Sequence, residues 1–248
     1  MKISLITSAY NSASTIRDTL ASVRMQKNVN LEYIVVDGGS SDETMEIVAE
    51  FDDIVSCSIS EPDNGIYDAL NKGLFLATGD AVGFLHSDDM FAHDLVLKTV
   101  VDAFTASGAD AVYGNLDYVH REDPGRVHRK WRSKPFQVSL FVRGWMPAHP
   151  TFYLKREHYE AYGGYDTSFR QSADYELMLR MLLTHELKAE YIPNVMIKMR
   201  TGGASNASFS NRWKANQEDA RAWKKNGKKM SLLTRIRKPL SKIAQFFG

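Results

Sequence analysis

Strand-like and helix-like stretches alternate without interruption over the first hundred residues, and few folds accept that rhythm. Residues 3–7 (ISLIT) read as a strand, and Ser14 can cap a helix that keeps Ile16, Leu20 and Val23 on one face. Residues 33–36 (YIVV) are a second apolar run, ending in Asp37-Gly38-Gly39. Ser40 and Glu43 then have the spacing of a capping box for a helix reaching Phe51. Residues 54–59 form a third strand, the 61–65 segment (EPDNG) a turn, and 66–78 a helix that Gly79 is suited to end. Residues 82–85 (VGFL) are a short buried strand, followed by a helix over about 94–107. This pattern predicts βαβ units: an α/β fold with a Rossmann-like, mainly parallel sheet flanked by helices.

Beyond Ser107 the rhythm weakens. Residues 111–115 look like one more strand, while 118–134 are polar, basic and loop-like. The segment 145–153 (WMPAHPTFY) carries two prolines and is not expected to be helical. Helices are expected over 155–162 and 174–184 and a strand over 191–199, with Thr201-Gly202-Gly203 closing the compact body. The expected division is a body of residues 1–205, with halves 1–107 and 108–205, and a tail of residues 206–248.

Composition narrows the class. Hydrophobic residues make up 44% of the chain, ordinary for a globular protein, and no run of 18 apolar residues is present to span a membrane. The N-terminus lacks the apolar stretch and cleavage site of a secretory signal. Cys57 is the single cysteine, read as a buried inert thiol, which fits a cytosolic location. The net charge of +1 conceals an asymmetry, because no acidic residue follows Asp219 whereas nine Lys or Arg do. Residues 1–219 therefore carry 22 basic and 30 acidic side chains, a balance of −8.

Three polar clusters fall at strand C-termini: Ser8-Ala9-Tyr10-Asn11, Asp37-Gly38-Gly39-Ser40 and Ser87-Asp88-Asp89. In a parallel sheet they crowd one edge, where open α/β sheets bind nucleotides. Tyr10 could flank a base, and Asp37 could accept hydrogen bonds from base or ribose, although such residues are also common in ordinary βα turns. The adjacent carboxylates Asp88 and Asp89 suit a hard cation, Mn²⁺ or Mg²⁺, that grips phosphate oxygens as well. They could equally cap the next helix. The first turn, SAYNSAST, has no glycine, so a dinucleotide fingerprint is excluded, and a P-loop is absent too.

The ordered set TSAYN, VVDGGSSDET, SEPDNGIYDALNKGLFLATGD and FLHSDD resembles family 2 glycosyltransferases of the GT-A fold, in particular bacterial enzymes building O-antigen, capsule or exopolysaccharide. The likeness is close over about residues 1–90 and recurs at SADYELMLR, residues 172–180. It implies inverting transfer of a sugar from a nucleotide-diphosphate donor, UDP first with GDP and dTDP open, to a saccharide acceptor. Donor contacts would come from Thr7, Ala9, Tyr10, Asn11, Asp37, Gly39, Asp68, Lys72, Ser87 and Asp88. Asp89 would be the direct metal ligand, with Asp88 in the ribose or metal shell. Asp174 would be the general base, with Glu176 as the alternative. Many relatives carry Arg where Leu70 stands, which passes a diphosphate contact to Lys72 or loses it. His86 stands where Asn is usual and reads as a packed strand-end residue. His149, held between Pro147 and Pro150, and Trp145 are candidates for the diphosphate or acceptor, and Trp131 could also stack on an acceptor sugar.

In the tail, Leu232, Leu233, Ile236, Leu240, Ile243, Phe246 and Phe247 interleave with basic residues, as in a basic amphipathic helix kinked at Pro239. Residues 221–247 thus suit an anionic membrane surface, which points to a peripheral protein on the inner face of the cytoplasmic membrane and to a lipid-linked acceptor. A tail packed on the body or on a second subunit is the alternative, which leaves a homo-oligomer open. A nucleic-acid partner is disfavoured by the acidic body. Two rival functions remain: a nucleotidyltransferase making nucleotide sugars, and a relative that binds nucleotide sugar or glycan without turnover.

Overall fold

The computed structural model describes residues 1–202, 209–231 and 234. Among these, nine strands form one sheet. Strands β1 (Lys2–Ala9), β2 (Asn30–Asp37), β3 (Val55–Ser60) and β4 (Ala81–Phe84) are mutually parallel in the spatial order β3-β2-β1-β4. Beyond β4 the sheet continues through β8 (Tyr153–Lys155), β6 (Ala111–Val119), β9 (Ala189–Arg200) and β5 (Asp89–Phe91), with β7 (Val127–Trp131) pairing on β6. Strand β8 runs antiparallel to both β4 and β6, and so stitches the expected halves into one sheet. Strand β6 is parallel to β9, and β5 is antiparallel to it.

The central strand β1 is buried from Ile3 to Ala9, because helices cover both faces. On one face Ile16, Leu20 and Val23 of α1 (Ile16–Arg24), Ile47 and Val48 of α2 (Thr44–Ala49), and Val96, Leu97, Val100 and Phe104 of α4 (Val96–Ser107) form one core. On the other face α3 (Ile66–Leu76), α5 (Val138–Val142), α6 (Arg156–Tyr162), α7 (Ala173–Leu179) and α8 (Phe209–Lys225) build a second. Each fully buried Leu or Ile in these layers contributes about 1.5–3 kcal/mol by leaving water. Gly83 has to be glycine, since a Cβ there would lie 2.1 Å from the Tyr153 ring where β4 meets β8.

Several local expectations are corrected. The 118–134 segment is not a loop but the β6–β7 hairpin. Asp123-Pro124-Gly125 turns the chain, with the Asp123 side chain accepting from Gly125 N at 3.0 Å. Ser40 and Glu43 form no capping box: α2 starts at Thr44 without a side-chain cap, because Ser40 is engaged elsewhere. Ser14 does not cap α1 either, where Thr15 holds the cap position. Asp88 and Asp89 do not cap the helix after them, since Asp89 opens strand β5. Cys57 is half-buried on the edge strand β3, not deep in the core. The helix over 174–184 is α7 followed by a π-helical turn from Arg180 to Thr184.

The tail also differs from a separate appendage. Helix α8 packs on the body: Ala222 and Trp223 are buried, and Trp223 Nε1 donates to Tyr175 Oη of α7 at 2.9 Å. Arg221 donates to Ser168 O at 2.6 Å and lies over the Phe169 ring, and Lys225 pairs with Asp166. The apolar–basic stretch from Leu232 onward lies outside the described residues except for Thr234, whose hydroxyl donates to Val142 O.

Candidate active site

The parallel strands deliver their C-termini to one edge, and the three polar clusters meet there. Ser12 Oγ and Ser87 Oγ share a hydrogen bond of 2.8 Å, tying the turn after β1 to the turn after β4. Asn11 adopts a left-handed φ of 46°, receives no strain relief from glycine, and is held by Ser40 Oγ accepting from its N–H at 2.8 Å. Its Oδ1 in turn accepts from Ser41 N at 3.0 Å. Tyr10 is 65% exposed at the lip of this edge.

Asp37 lies beneath that lip with no exposure. Its Oδ2 accepts from Gly39 N at 3.1 Å, Ser40 N at 2.9 Å and Ser60 Oγ at 2.6 Å, and its Oδ1 accepts from Ser40 Oγ. Its carboxylate therefore shapes the Gly38-Gly39 turn, in which Gly39 has φ 82°. A Cβ on Gly38 would meet Asp63 Oδ2 at 2.5 Å and the Tyr10 ring at 3.4 Å, so Tyr10 and Asp63 crowd against the Gly38 backbone. Asp63 was not singled out in the sequence, where it reads only as a turn residue.

Other expected donor residues sit lower or are engaged. Thr7 is fully buried and shares a 2.9 Å hydrogen bond with Tyr33 Oη, and Ala9 is 4% exposed in the core. Asp68 lies in the first turn of α3 and accepts from Asn64 N at 3.0 Å, fastening the Asn-Gly turn. Lys72 Nζ pairs with Glu61 at 2.7 Å and donates to Pro62 O at 3.0 Å.

Asp88 is half-buried, whereas Asp89 is fully buried and neither of its oxygens has a hydrogen-bond partner. Burial first, and the neighbouring Asp88 charge second, push the Asp89 carboxyl well above the usual carboxylate range. Arg200 opposes that shift. It is 4% exposed, donates to Asp88 O at 3.3 Å and Arg121 O at 3.1 Å, and pairs with Asp18. Arg200 was not picked out from the sequence, because it is brought to this loop by β9, more than a hundred residues away.

The opposite wall is aromatic. His149 is 8% exposed and its Nε2 shares a 2.8 Å hydrogen bond with Tyr165 Oη. Tyr165 stacks on Tyr67 at 5.5 Å, and Tyr67 Oη donates to Asp174 Oδ1 at 3.4 Å. The His86 ring lies 6.1 Å from that of His149, with a buried Nδ1 that has no partner. Burial lowers both histidines, His149 to about 4, while the Asp174 carboxylate raises both. Tyr118 of β6 lies within electrostatic reach of both Asp89 and Asp174, and His86 of both Asp88 and Asp174. Asp88 and Asp89 after β4, and Asp174 on α7, thus bear electrostatically on neighbouring buried rings.

Asp174 is not a helix cap: Ser172 holds that position and Asp174 stands inside the first turn of α7. Glu176 points elsewhere, fully buried, paired with Arg180 at 3.1 Å and accepting from Asn226 Nδ2 at 3.1 Å. The approach to Asp174 is braced by Glu218 of α8, which accepts from Arg170 N, Gln171 N and Ser172 N at 2.8–3.0 Å. Trp145 packs edge-on against Tyr113 at 6.2 Å, and Trp131 stacks on Tyr118. Among the described residues no three His, Cys, Asp or Glu side chains cluster as a complete metal cage.

Comparison with known proteins agrees with this geometry. The chain is 32% identical over 186 residues to an uncharacterized glycosyltransferase of Mycobacterium tuberculosis strain CDC 1551, covering 74% of this chain and 70% of that one. It is 27% identical over 208 residues to a PGL/p-HBAD biosynthesis glycosyltransferase of Mycobacterium bovis BCG, covering 82% and 78%. Its fold is shared with S. aureus TarS 1-349 in complex with UDP-GlcNAc, at a TM-score of 0.69 and 17% identity over 91% of this chain and 65% of that one. It is shared also with the mannosyltransferase PcManGT of Pyrobaculum calidifontis in complex with GDP-Man and Mn²⁺, at 0.67 and 20% over 97% and 68%. The sheet is thus of the GT-A type, and a family model matches residues 4–173, from the first strand to the helix that carries Asp174. The chain belongs to glycosyl transferase family 2.

Proposed function

We propose that this protein transfers a sugar from a nucleotide-diphosphate sugar to a saccharide acceptor, with inversion at the anomeric carbon. The observation that carries the reading is the meeting of the three polar strand-end clusters at one sheet edge, tied by Ser12–Ser87 and Asn11–Ser40, with the orphaned carboxyl of Asp89 among them. The nucleobase binds at Tyr10, Gly38 and Asp63, with Asp37 holding that turn from below rather than touching the base. Asp174 accepts the proton of the acceptor hydroxyl as its oxygen attacks the anomeric carbon and the bond to the diphosphate breaks. Tyr67 orients the Asp174 carboxylate through its hydroxyl.

The two orphaned oxygens of Asp89 and the neighbouring Asp88 fit a hard divalent cation, with donor phosphate oxygens and water completing the shell that two carboxylates leave open. Asp89, with its orphaned oxygens, and Asp88 beside it would both hold the cation. Bound Mn²⁺ or Mg²⁺ supplies positive charge to the leaving diphosphate.

A UDP-sugar is the first donor to test, followed by a GDP-sugar, because neighbours of this fold bind UDP-GlcNAc and GDP-Man. The acceptor is lipid-linked in this reading and the protein lies on the inner membrane face, held by the tail beyond residue 231. No helix among the described residues is long and apolar enough to cross a membrane. The test is turnover of UDP- and GDP-sugars with Mn²⁺ in the wild type and Asp174→Asn. A loss of about 10²–10⁴-fold in kcat with nucleotide binding retained is expected. Unchanged turnover in the variant sinks the assignment of the base.

A further inference from the structure

Just ahead of α7 in the chain, the described residues leave an open depression of about 400 Å³ between residues 170–171 and α8. Arg170, Gln171, Gln217, Glu218 and Arg221 line it. Its one carboxylate, Glu218, is turned onto the three backbone N–H groups of residues 170–172. The Arg170 guanidinium is exposed and has no hydrogen-bond or ion-pair partner among the described residues. Arg221 is held in place through Nη2 by Ser168 O and Oγ and by the Phe169 ring, and its other guanidinium donors have no hydrogen-bond partner among the described residues. Two carboxamides complete a lining rich in planar donors. Glu218 also accepts from Ser172 N, two residues before Asp174, so the depression adjoins the proposed acceptor end of the site.

We infer that this depression is an acceptor subsite for an anionic phosphate or diphosphate group carried next to the acceptor sugar. Two arginines lining one depression suit phosphate oxygens, which a guanidinium binds in bidentate fashion. The acceptor is then positioned from two sides, its hydroxyl at Asp174 and its phosphate at Arg170 and Arg221. This inference rests on the glycosyltransferase reading for what is transferred, but the anion site itself is separable from it.

The test is calorimetric titration of the full chain in EDTA with inorganic pyrophosphate and with farnesyl diphosphate. Vesicles of phosphatidylglycerol in phosphatidylcholine form a third arm. Arg170→Gln is the variant, because the native side chain has no partner to lose among the described residues, and Arg170→Lys is its conservative companion. Farnesyl diphosphate and pyrophosphate are expected to bind the wild type, to weaken about tenfold in Arg170→Gln and less in Arg170→Lys, while vesicle binding stays unchanged. Equal binding of both diphosphates by wild type and Arg170→Gln overturns the subsite, as does a loss confined to the vesicles, which would mark a bilayer contact instead. UDP with Mn²⁺ is titrated in parallel. Failure of the wild type to bind UDP counts against the transferase reading alone, whereas intact UDP binding with no effect of Arg170→Gln counts against the subsite alone.

Discussion

Asp37 and Asp89 stand at the same edge of the sheet, both fully buried, and they are held in opposite ways. Asp37 at the end of β2 accepts four hydrogen bonds, three of them from Gly39 and Ser40 within its own turn. Asp89 at the start of β5 accepts no well-formed one, with only the Arg200 backbone N–H within reach, and its strand partner is Met199 of β9. A buried carboxylate with four donors is part of the scaffold, whereas one with no well-formed hydrogen bond is an unfinished site. The difference separates residues that build the strand-end edge from residues that are left open for a ligand.

The largest effect expected from that contrast is on activity. Asp88→Ala and Asp89→Ala should each lower Mn²⁺-dependent kcat/KM with the preferred nucleotide sugar by about 10²–10³-fold. Titration of UDP with and without Mn²⁺ should show the metal dependence of binding vanish. Metal-dependent binding that survives in both variants would make the orphaned carboxylate a structural accident.

Stability should divide the same pair in reverse. Asp37→Ala strands the donors of Gly39, Ser40 and Ser60 and is expected to cost about 2–4 kcal/mol in urea unfolding. Asp89→Ala removes no well-formed hydrogen bond and should stay within about 1 kcal/mol of the metal-free wild type. Equal losses would erase the comparison.

His149 adds a pH-dependent term on the acceptor side. Burial lowers it to about 4, below its unfolded value of about 6.5, so the unfolded chain binds the extra proton first as pH falls. Its contribution to stability is intact above about pH 6.5 and is lost progressively towards pH 4, by about 2–3 kcal/mol in all. Urea unfolding of wild type and His149→Gln across this range checks it, and parallel pH profiles for the two proteins would remove the term.

The smallest change tests the link between the turns. Ser87→Ala cuts the 2.8 Å hydroxyl pair with Ser12 and should cost about 1 kcal/mol or less. A much larger loss would mean that the two strand ends depend on each other far more than one exchanged hydrogen bond implies.

The donor side was legible because its signals are local. The βα units, the Asp37-Gly38-Gly39 turn and the Ser87-Asp88-Asp89 cluster each lie within a few residues of the strand that positions them. The β6–β7 hairpin was partly legible, since Asp123-Pro124-Gly125 is a turn signal that the surrounding basic residues mask. Strand β8 is too short to carry a period, so nothing in the chain announced that it would join β4 to β6. The fate of Ser40 shows the other limit: its spacing to Glu43 matched a cap, but Asp37 and Asn11 competed for the same hydroxyl and won.

Sequence alone determined the fold class, the family resemblance and the strand ends that face the site, because periodicity and turn chemistry act over a few residues. Tertiary structure alone decided which carboxylates are satisfied. It put Arg200 at the Asp88 loop, Tyr67 at Asp174 and Glu218 under the 170–172 segment. These partners lie between about 50 and 110 residues apart in the chain. No short-range rule reaches that far; only the packing of helices on one continuous sheet brings such donors to an acid, or withholds them.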